Sequence, residues 1–130
     1  MQDPKWLEGF ARLGHHGLSW DLRVKTWELE AAAKVVAGIP DIPVVLNHAG
    51  FPWDRSPAGL ERWRKGMRAL AACPNVFTKL SCLCLQEAPW VYEDNRRVVL
   101  ETLEMFGTSR CMFASNFPVD GLRVGYTQMF

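Results

Sequence analysis

The feature that most constrains this chain is an exchange of two hydrophobic periods, repeated from end to end. Residues 4–15 place Trp6, Leu7, Phe10 and Leu13 on one helical face, behind Asp3 as cap and Pro4 in the first turn. Leu18 to Val24 then alternates, with Leu18, Trp20, Leu22 and Val24 on one side and Ser19, Asp21 and Arg23 on the other, which predicts a strand. A second helix is expected from a Thr26 cap, with Glu28 and Glu30 in its first turns and Gly38 as its stop. Pro43–Gly50 is a β-branched run ending in polar residues and glycine. A charged helix follows, from about Pro57 to Ala72, entered from Ser56. Asn75–Ser81 reads as the third strand, Tyr92–Phe106 as a fourth helix closed by Gly107, and Cys111–Pro118 as a last strand stopped by its proline.

This α-β-α-β-α-β-α-β order implies βαβ units and a parallel sheet. Polar residues gather where the strands end: Asp21 and Arg23, Asn47 and His48, Lys79 and Ser81, Ser115 and Asn116. Active sites of doubly wound sheets and of barrels both sit there. No Gly-x-Gly-x-x-Gly or phosphate loop follows any strand, which disfavours a nucleotide-binding sheet. The expected fold class is therefore α/β, a partial (β/α)8 barrel. Four strands leave two open edges and an uncovered interior, so either two copies pair or the chain is a piece of something larger. Met1 stands in QDPKW, which reads as the middle of a loop-to-helix passage, and the expectation is a fragment.

The 130 residues suit one domain, 1–130. A formal charge of +1 leaves no basic stripe for nucleic acid. Apolar runs such as IPVVL are far below the ~18 residues of a membrane span, and MQDPKWLEGF lacks the pattern of a signal peptide. The expectation is a cytoplasmic chain without membrane or nucleic-acid partners. Cys73, Cys82, Cys84 and Cys111 are too few and too irregular for a disulfide scaffold. Cys82 and Cys84 lack a second knuckle that would complete a structural zinc site, and buried thiols are the better reading.

The segments VVLNHAGFPWDR, VFTKLSCL and RCMFASNFPVDG, in this order and spacing, resemble the amidohydrolase superfamily. The similarity is to its branch of metal-dependent hydrolases that includes lactonases acting on sugar and aromatic-acid lactones. The resemblance covers nearly the whole chain and implies strands five to eight of a (β/α)8 barrel, its C-terminal half. It implies that His48, in LNHAG, lies at the metal or substrate centre, with a divalent ion such as zinc or manganese as the implied cofactor. The family's general base is an aspartate in a Ser-Asp-aromatic-Pro pattern, where this chain has Asn116. An amide cannot take a proton from water, so Asp120, four residues on, is a possible substitute carboxylate. The metal-binding His-x-His pair of the first barrel strand has no counterpart, since His15 and His16 are adjacent at a helix end.

Other residues carry two readings each. Period-2 alternation turns Phe77, Lys79 and Ser81 toward the barrel axis. Lys79 either binds a carboxylate or alkoxide, or pairs with Asp21 across the interior. Asp21, Arg23 and Lys79 together form a candidate floor for an anionic substrate. Phe51, Trp53, Asp54 and Arg55 follow His48 in a loop that either lines a substrate wall or packs on the neighbouring helix. ERWRKGMR reads as a solvated helix face over a core stripe of Trp63, Met67 and Leu70.

The function expected from these residues is hydrolysis of a lactone or related ester or amide at the barrel mouth, on a small-molecule lactone or carboxylate, with the isolated chain inactive. The alternative is a non-catalytic domain, either truncated or a half-barrel that self-associates into a homo-oligomer. A decarboxylase or hydratase on the same barrel shares the site.

Overall fold

The computed structural model describes residues 3–85 and 87–129. Helix α1 (Pro4–His15) starts where Asp3 accepts a hydrogen bond from the Lys5 amide, and Gly17 follows its end with a left-handed φ of 62°. Strand β1 (Trp20–Leu22) is shorter than the alternation predicts. Leu18 is half exposed and outside the sheet, because no neighbouring strand reaches that far to pair with it. Helix α2 (Leu29–Ala37) is preceded by a 3-10 turn, Thr26–Glu28. Thr26 is not its cap; its hydroxyl instead donates to the Phe51 and Gly50 carbonyls at 2.6 and 3.1 Å.

Strand β2 (Val44–Leu46) breaks into a 3-10 turn over Asn47–Gly50, so His48 sits beyond the strand rather than on it. Helix α3 (Pro57–Ala71) has Ser56 as cap, its hydroxyl accepting from the Gly59 amide. Strand β3 (Val76–Leu80) is one residue shorter at each end than the predicted run, while helix α4 (Tyr92–Phe106) and its stop at Gly107 fall where the sequence places them. Strand β4 (Cys111–Phe113) ends early, leaving Ser115 and Asn116 in a turn, and a short helix α5 (Tyr126–Met129) follows.

The four strands are parallel in sequential order, β1-β2-β3-β4. Their two faces differ. Leu22, Val44, Leu46, Val76, Thr78 and Leu80 form one row, each at most 2% exposed. Leu22, Val44, Leu46 and Val76 pack beneath the helices with Leu29, Val36, Trp63, Met67 and Leu70. The opposite row is open: Asp21 is exposed, Val45, Phe77 and Lys79 are half-buried, and Met112 is 38% exposed. A doubly wound sheet would cover both faces. Helices on one face of a sequentially ordered parallel sheet are instead a barrel wall seen from inside.

Close approach between α2 and α3 holds that wall together. A Cβ at Gly66 would overlap the Leu29 side chain, so only glycine permits this spacing. At the opposite end, the Arg110 guanidinium donates to the carbonyls of Ala71, Cys73, Val76 and Phe106, gathering the ends of α3 and α4 under β3. Arg64 bridges α3 to α4 through both Glu101 oxygens, at 2.6 and 2.9 Å.

Candidate functional site

Three consecutive strands end in the same unusual way. His48 after β2 has φ 61°, Cys82 after β3 has φ 54° and Asn116 after β4 has φ 52°. Left-handed backbone costs a non-glycine residue on the order of 1–3 kcal/mol and persists where surrounding contacts over-determine it. Those contacts are visible at the first turn. The Trp63 indole donates to the Ala49 carbonyl at 2.7 Å in the core, and Thr26 ties the Gly50 and Phe51 carbonyls. The turn that aims His48 is thus secured from α3 and from the segment after β1.

The three turns surround a cavity of about 300 Å³ lined by Arg23, His48, Phe51, Trp53, Cys82, Cys84, Asn116, Val119, Asp120, Leu122 and Arg123. A larger groove, about 710 Å³ between α1 and α2, belongs to the outer helical layer, away from the strand ends.

Inside the cavity His48 Nδ1 lies 2.8 Å from Ser81 Oγ, leaving Nε2 without a hydrogen bond among the described residues. Burial lowers the His48 pKa from its ordinary value, and the Arg23 and Lys79 charges lower it further against the opposing pull of Asp120 and Asp21. The ring is therefore chiefly neutral at pH 7. It meets Phe51 edge-on at 5.0 Å, and Phe51 meets Trp53 at 4.9 Å. Cations cover this aromatic wall: Arg23 stands 5.3 Å from the Phe51 centroid and Lys25 4.3 Å from that of Trp53.

Across the cavity, Asn116 Nδ2 donates to Asp120 Oδ1 at 3.0 Å. Asp120 is only 2% exposed, and its Oδ2 is sealed from solvent without a hydrogen-bond partner among the described residues. A buried carboxylate oxygen left unpaired is costly, and such groups mark places where a ligand or water completes the structure.

The sequence-based residues divide accordingly. His48, Arg23, Trp53, Asn116 and Asp120 converge on the cavity, and Ser81 reaches it through His48. Lys79 and Asp21 do not line it; they pair at 2.8 Å across the open row of the sheet, the second of the two readings of Lys79. Asp54 is exposed and turned away, accepting from the Ser56 amide beside the start of α3, and the Ser56 hydrogen bonds hold its carboxyl below the ordinary range.

Cys82, Cys84 and Arg123 also line the cavity; the sequence marks the two cysteines only as a Cys-x-Cys pair of buried thiols and does not mark Arg123. The Cys-x-Cys spacing directly after β3 was the available signal for the first two. All four cysteines are unpaired. Burial raises the Cys82 thiol and pushes Cys84 up to about 11, so both are neutral thiols. Among the described residues no three His, Cys, Asp or Glu side chains converge to hold a metal ion, and no helix is long and apolar enough to cross a membrane.

Residues 2–129 match the family model described as Amidohydrolase. The chain is 42% identical over 123 residues to the uncharacterized protein y4mH of Sinorhizobium fredii, covering 95% of this chain and 41% of that protein. It is 39% identical over 140 residues to an L-fucono-1,5-lactonase of Burkholderia multivorans, covering 99% of this chain and 47% of the lactonase. The crystal structure of an amidohydrolase from Burkholderia multivorans with bound zinc superimposes with a TM-score of 0.87 at 32% identity, over 96% of this chain and 46% of that one. The chain thus spans somewhat less than half the length of the relatives it matches, and its sheet is part of a (β/α)8 barrel.

Proposed function

This chain belongs to the amidohydrolase family, and from that premise we propose that its strand-end cavity is one side of a hydrolytic centre for a lactone or related ester or amide. On this reading residues 1–130 are the C-terminal half of a (β/α)8 barrel, strands five to eight, working in the cytoplasm, where four free thiols are at home. The observation that carries it is Asp120: a buried carboxylate with one oxygen fixed by Asn116 and the other unsatisfied, in the cavity that His48 also lines.

The chemistry follows from the protonation states. Water in the cavity is deprotonated by Asp120 Oδ2 as its oxygen attacks the substrate carbonyl carbon. The ring C–O bond then breaks, and the leaving oxygen takes a proton back from Asp120. His48, neutral and turned by Ser81, presents Nε2 to the reacting group. Arg23, spread over Phe51, meets the carboxylate that ring opening creates, and Trp53 supplies an apolar wall. Lys79 and Asp21, paired on the inner sheet face, neutralise the floor beneath, and Asp54 braces the loop that leads into α3.

A divalent ion such as zinc or manganese in the centre would polarise the carbonyl. The described residues do not fit such an ion by themselves, since His48 and Asp120 are not joined by a third ligand. No step above passes through it.

The test is a chimera that supplies the N-terminal half of the Burkholderia multivorans lactonase to this chain, assayed against sugar and aromatic-acid lactones. Hydrolysis that disappears in Asp120→Asn supports the reading. A folded chimera that hydrolyses none of them overturns it. The open inner row of the sheet favours a second, non-catalytic reading for the 130-residue chain taken alone, as a self-associating half-barrel.

A further inference from the structure

We infer that the Ser81 hydroxyl fixes His48 as the tautomer protonated on Nε2, so that the cavity receives a hydrogen-bond donor from the ring and an acceptor from Asp120. The part this donor plays in hydrolysis rests on the reading above; the tautomer itself does not.

Ser81 is the first residue after β3, only 2% exposed, and its Oγ lies 2.8 Å from His48 Nδ1. Two arrangements satisfy that distance. In one, Nδ1–H donates to Oγ; in the other, the hydroxyl donates to a bare Nδ1. The first leaves the hydroxyl proton sealed from water with no acceptor, since Nδ1 is the only hydrogen-bond partner of Oγ among the described residues. A buried donor without an acceptor is penalised, whereas an unused lone pair on a hydroxyl oxygen is tolerated more readily. The second arrangement is therefore the stable one. In a neutral ring, a bare Nδ1 puts the proton on Nε2.

The surroundings hold the ring to this partner. His48 stands in the left-handed region at φ 61°, and its carbonyl accepts from the Phe51 amide at 2.9 Å. The Phe51 ring meets the imidazole edge-on at 5.0 Å. His48 lines the cavity and Ser81 does not, so the Nδ1 edge is turned away from that space and the Nε2 edge towards it.

The tautomer sets what the cavity can bind. Asp120 Oδ2 is a buried acceptor without a partner among the described residues. A bare Nε2 would add a second acceptor, a pair that suits a cation, yet no third His, Cys, Asp or Glu among the described residues joins them. Nε2–H gives one donor and one acceptor instead. The donor suits a carbonyl oxygen gaining negative charge under attack, and the acceptor suits the attacking water. Ser81 is in this scheme a positioning residue, because it touches the ring and not the substrate.

The experiment is long-range proton–nitrogen correlation spectroscopy of the 130-residue chain carrying isotope-labelled histidine, with a chelator present and at a pH of about 8.5, where imidazole is neutral. The chain has three histidines, His15, His16 and His48, and the signals lost in His48→Gln are those of His48. The expected pattern is a protonated Nε2 and a bare Nδ1. A protonated Nδ1, or two averaged nitrogens, overturns the inference. Ser81→Ala is expected to move both nitrogens toward averaged positions, and Ser81→Cys, which keeps a weak donor, to move them less. In the lactonase chimera Ser81→Ala should lower kcat about tenfold with KM unchanged, and Ser81→Cys should recover part of it. An unchanged kcat in Ser81→Ala overturns the positioning role. A chimera without any activity removes the hydrolytic reading, and the spectra then decide the tautomer by themselves.

Discussion

The side-chain amide of Asn116 donates to Asp120 Oδ1 at 3.0 Å, so the amide holds the carboxylate four positions later in the chain. The pair spans one turn of chain, from the left-handed residue after β4 into the 3-10 turn Asp120–Leu122. An amide is the side chain that suits this place, because it gives Asp120 a donor without adding charge.

Asn116→Asp is therefore expected to impair hydrolysis in a barrel-complete chimera rather than to improve it. The substitution replaces the donor that holds Asp120 Oδ1 with a second carboxylate of like charge, so kcat at pH 7 should be reduced. A kcat equal to or above that of the unsubstituted chimera would remove Asp120 from the mechanism.

Trp63 offers a second test. It is fully buried, and its indole donates to the Ala49 carbonyl beneath the His48 turn. Trp63→Phe keeps the ring but abandons that carbonyl in the core, at a cost of about 1–3 kcal/mol. Urea unfolding reads the loss. In the chimera kcat should fall as well, since the turn loses one of its anchors.

Arg110 is expected to matter for stability and not for chemistry. Its guanidinium serves four carbonyls at the ends of α3, α4 and the start of β3. Arg110→Ala leaves those acceptors short of partners and should lower the unfolding free energy by roughly 2–3 kcal/mol. Arg110→Lys, with one point donor in place of a fork, should restore only part of it. A loss below half a kilocalorie would show that water replaces the fork.

The α3–α4 bridge carries a pH dependence. The Arg64 hydrogen bond, and then that from Arg97, hold the Glu101 carboxyl below its ordinary 4.5 against the effect of burial. A carboxyl depressed in the folded state contributes stability that is complete above about pH 4.5 and is lost as pH falls through the lowered value. Wild type and Glu101→Gln should differ by about 1 kcal/mol at pH 7 and converge toward pH 3. Parallel stability curves across that range would contradict the assignment.

Much of the architecture was legible because it rests on local periodicity. Tyr92–Phe106 and the Pro57 start were read to the residue, since a proline, a cap or a glycine marks each boundary in the chain itself. The strands were read too long. Leu18 and Ser115 continue an alternating or apolar pattern, yet a strand lasts only as long as its neighbour pairs with it, and that length is a property of the sheet. Thr26 looked like a cap for the same reason. Its hydroxyl was claimed by the Phe51 and Gly50 carbonyls, which lie about two dozen residues away.

The site divides along the same line. By itself the sequence determined the α/β class, the parallel order, the inward row of β3 and the family, because periods, caps and three motifs in register are all written within short windows. Tertiary structure alone decided that Ser81 turns to His48, that Asp54 leaves the cavity and that Asp120 is sealed beside Asn116 with one oxygen unpaired. Those outcomes depend on backbone turns pinned from other elements, by Trp63 and Thr26 above all. Direction and burial of a polar side chain are set by what surrounds it in space, and a linear chain does not carry that neighbourhood until it has folded.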